Sequence, residues 1–165
     1  MEPINIIKNS ILNKNNIGAV VLGGHIQAYG IIRQIGELGY NSIVVDNETF
    51  NISKYSKYCQ ASYVESYNTT MELLFKLAQD GKYYKWLIIP TDDYYVRIIS
   101  QNYDELSKYF IPLTEKWEKV SIFFNKCQTY PWIEELGIPV IYTIYADSIE
   151  DIEKFYKQIR SLYII

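Results

Sequence analysis

The sequence predicts an α/β fold in which helices cover both faces of a parallel sheet. Short apolar runs without polar alternation recur along the chain, as is typical of strands buried on both faces. Segments with apolar residues at helical spacing separate these runs, which is the order of elements in a βαβ protein. The first apolar run also ends in a Gly-Gly pair directly before a helical segment, a junction that parallel α/β proteins use.

The first strand–helix–strand unit opens with Gly18–Leu22 (GAVVL), a continuous apolar run. Apolar residues then recur at helical spacing over residues 28–38, and a glycine follows as the C-terminal stop. Ser42–Val45 (SIVV) is the second buried strand, and Asp46 closes it. Because these runs lack polar alternation, we predict that the first strand lies inside the sheet, between the strands at Ser42 and at Trp86.

The middle of the chain continues the alternation of strands and helices. A polar loop over residues 47–57 leads to a brief strand at Ala61–Val64. Thr69 and Glu72 have the spacing of a capping box, which predicts the start of a helix that ends at a glycine. The elements that follow are a third buried strand at Trp86–Ile89, broken by Pro90, a weaker helical pattern over residues 96–109, and a short strand near Phe110–Ile111.

The pattern changes after Pro112, where short helical segments replace the regular alternation. One helix is predicted around residues 117–124, and a second should begin near Thr129 because Pro131 is tolerated only in a first helical turn. The predicted elements after these are a strand at Val140–Tyr145, a capping box formed by Asp147 and Glu150, and a helix with Ile149, Ile152, Tyr156 and Ile159 facing inward.

The chain finishes on four apolar residues, Leu162–Ile165, that have the pattern of a new strand. We therefore expect a sequence that continues in a longer protein, with residues 1–112 as one α/β domain and residues 113–165 as linker helices and the start of a second. Unpaired apolar strand edges in this last part would favour association with a second copy, so a homodimer is expected.

Composition excludes several classes of function. The 165 residues carry a net charge of −3 with scattered basic residues, which gives no electrostatic case for nucleic acid or an anionic membrane surface. The N-terminus lacks the features of a signal peptide, and no run approaches the roughly 18 apolar residues of a membrane span. Cys59 and Cys127 are far apart and His25 is the single histidine, so we expect reduced thiols, no metal site and a cytoplasmic protein.

One unusual feature is the count of 17 tyrosines. They could form an aromatic binding surface, but the abundance of Ile, Asn and Lys favours a bias in the coding sequence.

The first candidate site is the turn Gly23-Gly24-His25 with the helix that follows it. Glycines let a ligand approach the backbone, and a helix N-terminus offers free N–H groups to an anion. A tight strand–helix turn alone would account for the same glycines. His25 could donate a hydrogen bond to a substrate or simply cap the helix.

Acidic residues at the ends of two predicted strands are further candidates. Asp92 and Asp93 follow the strand at Trp86, where open α/β sheets bind ligands, but adjacent residues point apart and one of them could cap the next helix. Asp46 has the position of the ribose-binding acid in a dinucleotide fold. The next glycine after Gly24 is Gly30, so the dinucleotide fingerprint is incomplete.

Four segments together resemble the N-terminal region of ATP-grasp ligases, in order and spacing, from about residue 18 to the end. They read GGHIQAYGIIRQIGELGYNSIVVD, SKYSKYC, LIIPTDDYYVRIIS and FFNKCQTYPWIEELGIPVIYT. The sequence is most similar to the carbamoyl-phosphate-synthase-like and D-aspartate-ligase-like branch. Asn125-Lys126 followed by Glu-Leu-Gly-Ile-Pro is the most specific part.

The resemblance implies a Rossmann-like pre-ATP-grasp domain up to about Pro112, then the first elements of the ATP-grasp fold. Members of the family phosphorylate a carboxylate with ATP and Mg²⁺, and an amine or ammonia then attacks the acyl phosphate. Lys126 matches the family lysine that reaches the nucleotide phosphates. Asn125 departs from the usual Asp, which puts the local cap geometry in question. Gly23–His25, Asp92 and Asp93 would belong to the substrate-side cleft.

The family's adenine-covering strands and acidic Mg²⁺ ligands would follow beyond Ile165, so we expect this chain alone to bind no ATP tightly and to catalyse nothing. Two other functions stay open. One is a free-standing module that binds a small anion or nucleotide at the Gly23–His25 turn. The other is an NAD-dependent or nucleotide-sugar enzyme with an atypical fingerprint, which Asp46 favours.

Overall fold

A computed structural model describes residues 17–141 and 143–162, and these described residues divide into two compact units at the boundary between Ser121 and Ile122. The first unit contains a five-stranded sheet in the order β3-β2-β1-β4-β5, in which every neighbouring pair is parallel. The strands are β1 (Gly18–Leu22), β2 (Asn41–Asp46), β3 (Cys59–Val64), β4 (Leu87–Pro90) and β5 (Ile111–Pro112). The predicted α/β fold class is confirmed.

The helices of the first unit follow the strands in the predicted alternation. They are α1 (Ile26–Glu37), α2 (Thr70–Gln79), α3 (Asp93–Gln101) and α4 (Tyr103–Leu106), with single 3₁₀ turns at Ser53–Tyr55 and Tyr67–Thr69. Helix α5 (Trp117–Phe124) includes the boundary between the units, and the second unit holds α6 (Lys126–Glu135) and α7 (Ile149–Leu162). Within the described residues, no helix combines the length and apolar character needed to cross a membrane.

Strand β1 lies at the centre of the sheet, as predicted. Val20 is in register with Ile43 of β2 on one side and with Ile88 of β4 on the other. All five residues of β1 are buried, because helices cover both faces of the sheet. One core packs α1 on the sheet through Ala19, Val21, Ala28, Ile32 and Val44. The other packs α2, α3 and α4 through Val20, Leu22, Ile43, Val45, Leu74, Leu77, Ala78, Ile88, Tyr95, Ile99 and Leu106.

Pro90 is the last residue of β4 and belongs to the sheet, whereas the sequence predicted that the strand would end before it. It is paired with Leu22 as the last residue of the strand, a position where its missing N–H does little harm to the ladder. The backbone N–H of Thr91 then donates to the carbonyl of Leu22 at 3.0 Å, and the Thr91 hydroxyl donates to the same oxygen at 2.8 Å. Thr91 thus joins the carboxyl ends of β4 and β1.

Both predicted capping boxes are wrong. Thr69 makes no side-chain cap for α2; its hydroxyl donates to the Glu65 carboxylate, because a 3₁₀ turn at Tyr67–Thr69 precedes the helix. The box of α7 lies one residue later than predicted. The Ser148 backbone N–H donates to Asp151 Oδ2 at 3.1 Å, and the Asp151 N–H donates to Ser148 Oγ at 3.3 Å.

Helix α6 begins three residues before the predicted Thr129. Asn125 is its N-cap, and the carboxamide oxygen of Asn125 accepts from the Cys127 N–H at 2.9 Å. The Thr129 hydroxyl donates to the carbonyls of Ile122 and Asn125 at 2.6 and 3.0 Å. These contacts fix the first turn, and Pro131 is accommodated inside the helix at the loss of one backbone hydrogen bond.

The end of the chain differs most from prediction. No strand is present at Val140–Tyr145 in the described residues 140–141 and 143–145. Leu162 ends α7, and the rest of the predicted terminal strand, Tyr163–Ile165, lies outside the described residues. Three of the four α7 residues predicted to face inward are exposed: Ile149 (77% exposed), Ile152 and Tyr156. The amphipathic pattern of α7 is real, but the described chain does not bury that face.

Candidate functional site

The carboxyl ends of β1, β2 and β4 meet at one edge of the sheet, where Leu22 is in register with Val45 and with Pro90. From β1 the chain builds β2 and β3 on one side and later β4 and β5 on the other. Open α/β sheets bind ligands where the strand order reverses in this way. We call this place the crevice and define it by the segments that follow the three strands: Gly23–His25, Asp46–Glu48 and Thr91–Tyr95.

The two glycines of the crevice are in close contact with other parts of the chain. Gly23 has φ +98° and donates its N–H to the Val45 carbonyl at 2.8 Å. A Cβ on Gly23 would meet the Thr91 hydroxyl, and a Cβ on Gly24 would meet the side chains of Asp46 and Asn51. A tight strand–helix turn, the alternative to ligand binding that the sequence allowed, therefore accounts for both glycines. Their role in binding a ligand stays a prediction.

The N-terminus of α1 is open. His25 occupies the N-cap position, its side chain is exposed, and it makes no side-chain cap hydrogen bond. The Ser53 hydroxyl holds the preceding backbone, donating to the Gly24 carbonyl at 2.9 Å and to the His25 carbonyl at 3.3 Å. The first turn contains no acidic residue. The dipole end of the helix is thus not offset by a carboxylate from its own first turn.

Asp92 has the capping role that the sequence allowed for one of the two aspartates. Its Oδ1 accepts from the Tyr95 N–H at 2.9 Å at the start of α3. Asp93 is exposed in the first turn of the same helix. The two carboxylates therefore stabilise a helix N-terminus.

Asp46 is the most unusual polar residue of the crevice. Only 1% of its surface is exposed, and Oδ2 has no hydrogen-bond partner among the described residues. Oδ1 accepts from the Asn47 N–H at 2.9 Å. Burial raises the pKa of Asp46 above its ordinary value of 3.8, and the neighbouring backbone N–H groups and His25 only partly oppose that shift. Sequence reasoning noted Asp46 only as a ribose-binding candidate.

Tyrosines line the same end of the sheet, and sequence reasoning missed them. The hydroxyl of Tyr95 is buried and also has no partner among the described residues. Burial first, and then the charge of Asp46, raise the pKa of Tyr95 well above its usual value. The ring of Tyr67 lies 3.9 Å from that of Tyr94 and 5.4 Å from that of Tyr95, measured between centroids. The only signal in the sequence was the Tyr-Tyr pair directly after Asp92-Asp93.

The structure groups five of the six predicted site residues at the crevice: Gly23, Gly24, His25, Asp92 and Asp93. Lys126 belongs to the second unit, where it is the first residue of α6 and is exposed. Its carbonyl accepts from the Tyr145 hydroxyl at 2.7 Å. Asn125 forms the cap that the usual Asp would form, so the departure from the family pattern leaves the cap geometry intact.

Comparison with known proteins identifies a clear relative by sequence. A D-aspartate ligase from Enterococcus faecium (strain Aus0004) is 29% identical to the chain over 139 residues, which is 79% of this chain and 32% of the relative. No family model matches the chain.

Solved structures of similar fold include an N5-carboxyaminoimidazole synthetase and a biotin carboxylase domain. An N5-carboxyaminoimidazole synthetase from Staphylococcus aureus, in complex with ADP, aligns with 88% of this chain and 37% of its own at 17% identity, with a TM-score of 0.62. The biotin carboxylase domain dimer of Hydrogenobacter thermophilus 2-oxoglutarate carboxylase, in complex with MgADP, ADP and bicarbonate, aligns with 85% of this chain and 32% of its own at 16% identity and a TM-score of 0.58.

The chain spans about a third of the length of these relatives. At such identities the structural likeness shows the fold, and the sequence likeness to a ligase agrees with it. In sequence and in fold, the chain is therefore similar to the N-terminal region of the ATP-grasp ligases.

Proposed function

We propose that this chain is the substrate-side N-terminal domain of an ATP-dependent carboxylate–amine (or ammonia) ligase, inactive on its own. The observation that supports the proposal best is the likeness to D-aspartate ligase across 79% of the chain. The relative's name gives D-aspartate as the compound that it ligates. By analogy, the complete protein would use a small amino acid or other carboxylate and an amine.

The proposed reaction balances as two displacements. A carboxylate oxygen of the substrate attacks the γ-phosphorus of ATP and ADP leaves, which gives an acyl phosphate. The amine nitrogen then attacks the acyl carbon, phosphate leaves, and the nitrogen loses a proton. ATP supplies the phosphoryl group and Mg²⁺ offsets the phosphate charge when both are bound to the complete protein. This chain would contribute part of the substrate cleft, at the crevice.

Two features of Lys126 support the proposed phosphate contact. It is exposed on the first turn of α6, so its ammonium group and the positive end of the helix dipole are both available to an anion. The Asn125 cap holds this turn in place through the Cys127 N–H. These features fit a lysine that contacts the nucleotide phosphates in the complete protein.

The test is an assay of the complete gene product with ATP, Mg²⁺ and panels of carboxylates and amines. We expect phosphate release that depends on both a carboxylate and an amine, and trapping of the activated carboxylate by hydroxylamine as a hydroxamate. The control is the same protein without the carboxylate. Phosphate release that no carboxylate stimulates, or a gene product that ends at Ile165, would contradict the proposal.

The uncapped N-terminus of α1 favours a second candidate, a free-standing module that binds a small anion beside His25. Its first turn contains no acidic residue, and the His25 side chain is exposed there. Titration of the 165-residue chain with inorganic phosphate, followed through the amide resonances of Ile26–Ala28, tests this candidate. Saturable shifts at those amides would support the module, and their absence would exclude it.

A further inference from the structure

Several carboxylates of the crevice lie near the phenol group of Tyr67. The pKa of Tyr67 is raised by burial first and then by the charges of Asp92, Asp46 and Glu48, so all three lie within electrostatic range of its hydroxyl. Asp93 adds a fourth acidic group at the start of α3. Two lysines of the loop between β2 and β3 have contacts of their own: the Lys54 ammonium donates to the Thr49 carbonyl at 2.6 Å, and the Lys57 ammonium lies 4.8 Å from the Tyr58 ring.

Three tyrosine rings lie together beside these carboxylates. Tyr67 contacts Tyr94 and Tyr95, with centroids 3.9 and 5.4 Å apart, and Tyr94 and Tyr95 are 6.0 Å apart in an edge-on arrangement. The face of an aromatic ring carries partial negative charge and attracts cations. The tyrosine rings and the carboxylates therefore both favour a cationic ligand.

Two buried polar atoms here are without a hydrogen-bond partner in the described chain, Asp46 Oδ2 and the Tyr95 hydroxyl oxygen. Buried polar groups nearly always have a partner, because an unpaired one costs free energy. Asp46 Oδ2 lies beside Gly24, in the turn that leads into α1, where a Cβ on Gly24 would meet it. The unpaired carboxylate oxygen would accept a hydrogen bond from a ligand that has N–H donors.

We propose that the cluster of Asp46, Asp92, Tyr67, Tyr94 and Tyr95 binds a protonated primary amine, the form in which the amine substrate arrives and from which it must lose a proton before its nitrogen attacks. In this proposal the unpaired Asp46 Oδ2 and Tyr95 hydroxyl oxygen, with the Asp92 carboxylate, accept from the N–H donors of the ammonium group, and the Tyr67 and Tyr94 rings lie beside it. A carboxylate or phosphate would be repelled by these acids, and a neutral hydroxyl would gain nothing from their charge. The identity of the ligand as a ligase substrate rests on the proposed function; the preference for a cation does not.

The direct test is a titration of the 165-residue chain with n-butylammonium, followed by amide NMR near pH 7. The matched ligands are n-butanol, which has the same shape without charge, and butyrate, which has the opposite charge. We expect saturable shifts at Asn47 and at residues 91–95 with butylammonium, and at least tenfold weaker binding of the other two. Equal binding of butanol, preferential binding of butyrate, or no binding of butylammonium would each overturn the proposal.

Two variants locate the binding site. Asp46→Asn keeps the shape of the side chain and the acceptor for the Asn47 N–H, but removes the charge, and should weaken butylammonium binding about ten- to a hundredfold. Glu118→Gln removes one exposed carboxylate from α5 and should leave binding unchanged. Equal loss in both variants would mean that only net charge matters, and would overturn the proposal. Unchanged amide spectra of both variants away from the substitutions exclude misfolding.

The identity of the amine is tested separately in the complete gene product. Asp46→Asn should raise the KM for the amine and leave the KM for ATP unchanged. If the chain binds butylammonium but the amine KM does not respond, the cation is not the ligase substrate. The titration contains no ATP, so it can succeed where the ligase assay fails, and the two hypotheses fail independently.

Discussion

Gly24 illustrates how a glycine can be required by the chain itself. The sequence could not distinguish a ligand from a neighbouring side chain as the reason for its small size. The structure shows that Asp46 and Asn51, which come more than 20 residues later, occupy the space where a side chain would be. That contact depends on the pairing of β1 with β2, so no local pattern could have revealed it.

Gly24→Ala should destabilise the protein by on the order of 1–3 kcal/mol, because the added methyl group must displace Asp46 and Asn51 in a packed region. Gly30→Ala is the matched control. Gly30 lies inside α1 with no atom near the new methyl group, so alanine should stabilise the helix by about 0.5–1 kcal/mol. Urea unfolding of both variants measures the difference. A neutral Gly24→Ala would contradict the packing described for the turn.

Asp46→Asn should stabilise the protein at neutral pH. Burial raises the folded-state pKa of Asp46, so protonation stabilises the folded protein relative to the unfolded chain. The stability that protonation confers is complete below pH 3.8, and it is lost as the pH rises through the raised folded-state pKa. Asparagine imitates the protonated form at every pH. The gap in urea midpoint between the variant and the wild type should therefore be largest near pH 7 and close as the pH falls toward 3.8.

A gap of constant size would mean that Asp46 does not change protonation state in this range. Glu118→Gln serves as the control for a general charge effect. Glu118 is an exposed side chain on α5, so its neutralisation should leave the free energy of unfolding within about 0.5 kcal/mol of wild type.

Lys126→Ala in the complete gene product should lower kcat/KM for ATP by about ten- to a hundredfold, which is the size of one charge-assisted phosphate contact. Lys126→Arg should recover part of the loss, because the charge survives while the geometry changes. Folding of the present chain should be unaffected, since Lys126 is exposed. Steady-state kinetics with varied ATP make the comparison. If the alanine variant turns over ATP like the wild type, Lys126 does not contact the phosphates and is only a surface charge.

At the scale of single elements, strands were easier to predict than helix starts. β1 and β2 are continuous apolar runs, because a strand that is covered on both faces needs apolar side chains at nearly every position. Helix starts depend on which of several neighbouring polar side chains reaches a free N–H. Thr69 matched the capping pattern in sequence, yet its hydroxyl donates to Glu65. The pattern of α7 was displaced by one residue, since Ser148 and Asp151 have the same spacing as Asp147 and Glu150.

The structure assigns the cap of α7 to Ser148, so Ser148→Ala should weaken the first turn by about 1 kcal/mol. Hydrogen exchange of the amides of Glu150–Ile152 should become severalfold faster. Asp147→Asn changes the residue that the sequence had indicated, and it should leave exchange as in the wild type. Faster exchange in Asp147→Asn alone would mean that Asp147 and Glu150 cap the helix, as the sequence predicted.

For the candidate site, the sequence located residues but not their functions. Gly23–His25, Asp92 and Asp93 do gather at one edge of the sheet, because parallel strands bring their carboxyl ends together. The buried state of Asp46 and the contact between the Tyr67 and Tyr94 rings could not be predicted, since both depend on how loops from different strands pack. Tyrosine abundance alone gave no indication of which rings meet.

At the scale of the whole molecule, the length of the chain relative to similar proteins leads to one prediction. It spans about a third of the relatives that it resembles. We expect that the 165-residue chain alone does not hydrolyse ATP and does not bind ATP–Mg²⁺ tightly. The resemblance implies that the adenine-covering strands and the metal ligands would follow Ile165 in the complete protein. Calorimetric titration checks this, with the complete gene product as the positive control. Micromolar ATP binding by the 165-residue chain would refute it.

The order of strands in the sheet also determines when this domain can begin to fold. β1 is made first, but it pairs on one side with β4, which follows β2, β3 and two helices along the chain. As the chain leaves the ribosome, β1 can pair only with β2, and its other edge stays without a partner until β4 has emerged. Contacts this distant in sequence slow folding and leave apolar edges open meanwhile. One edge of the central strand is therefore open to aggregation until β4 has emerged.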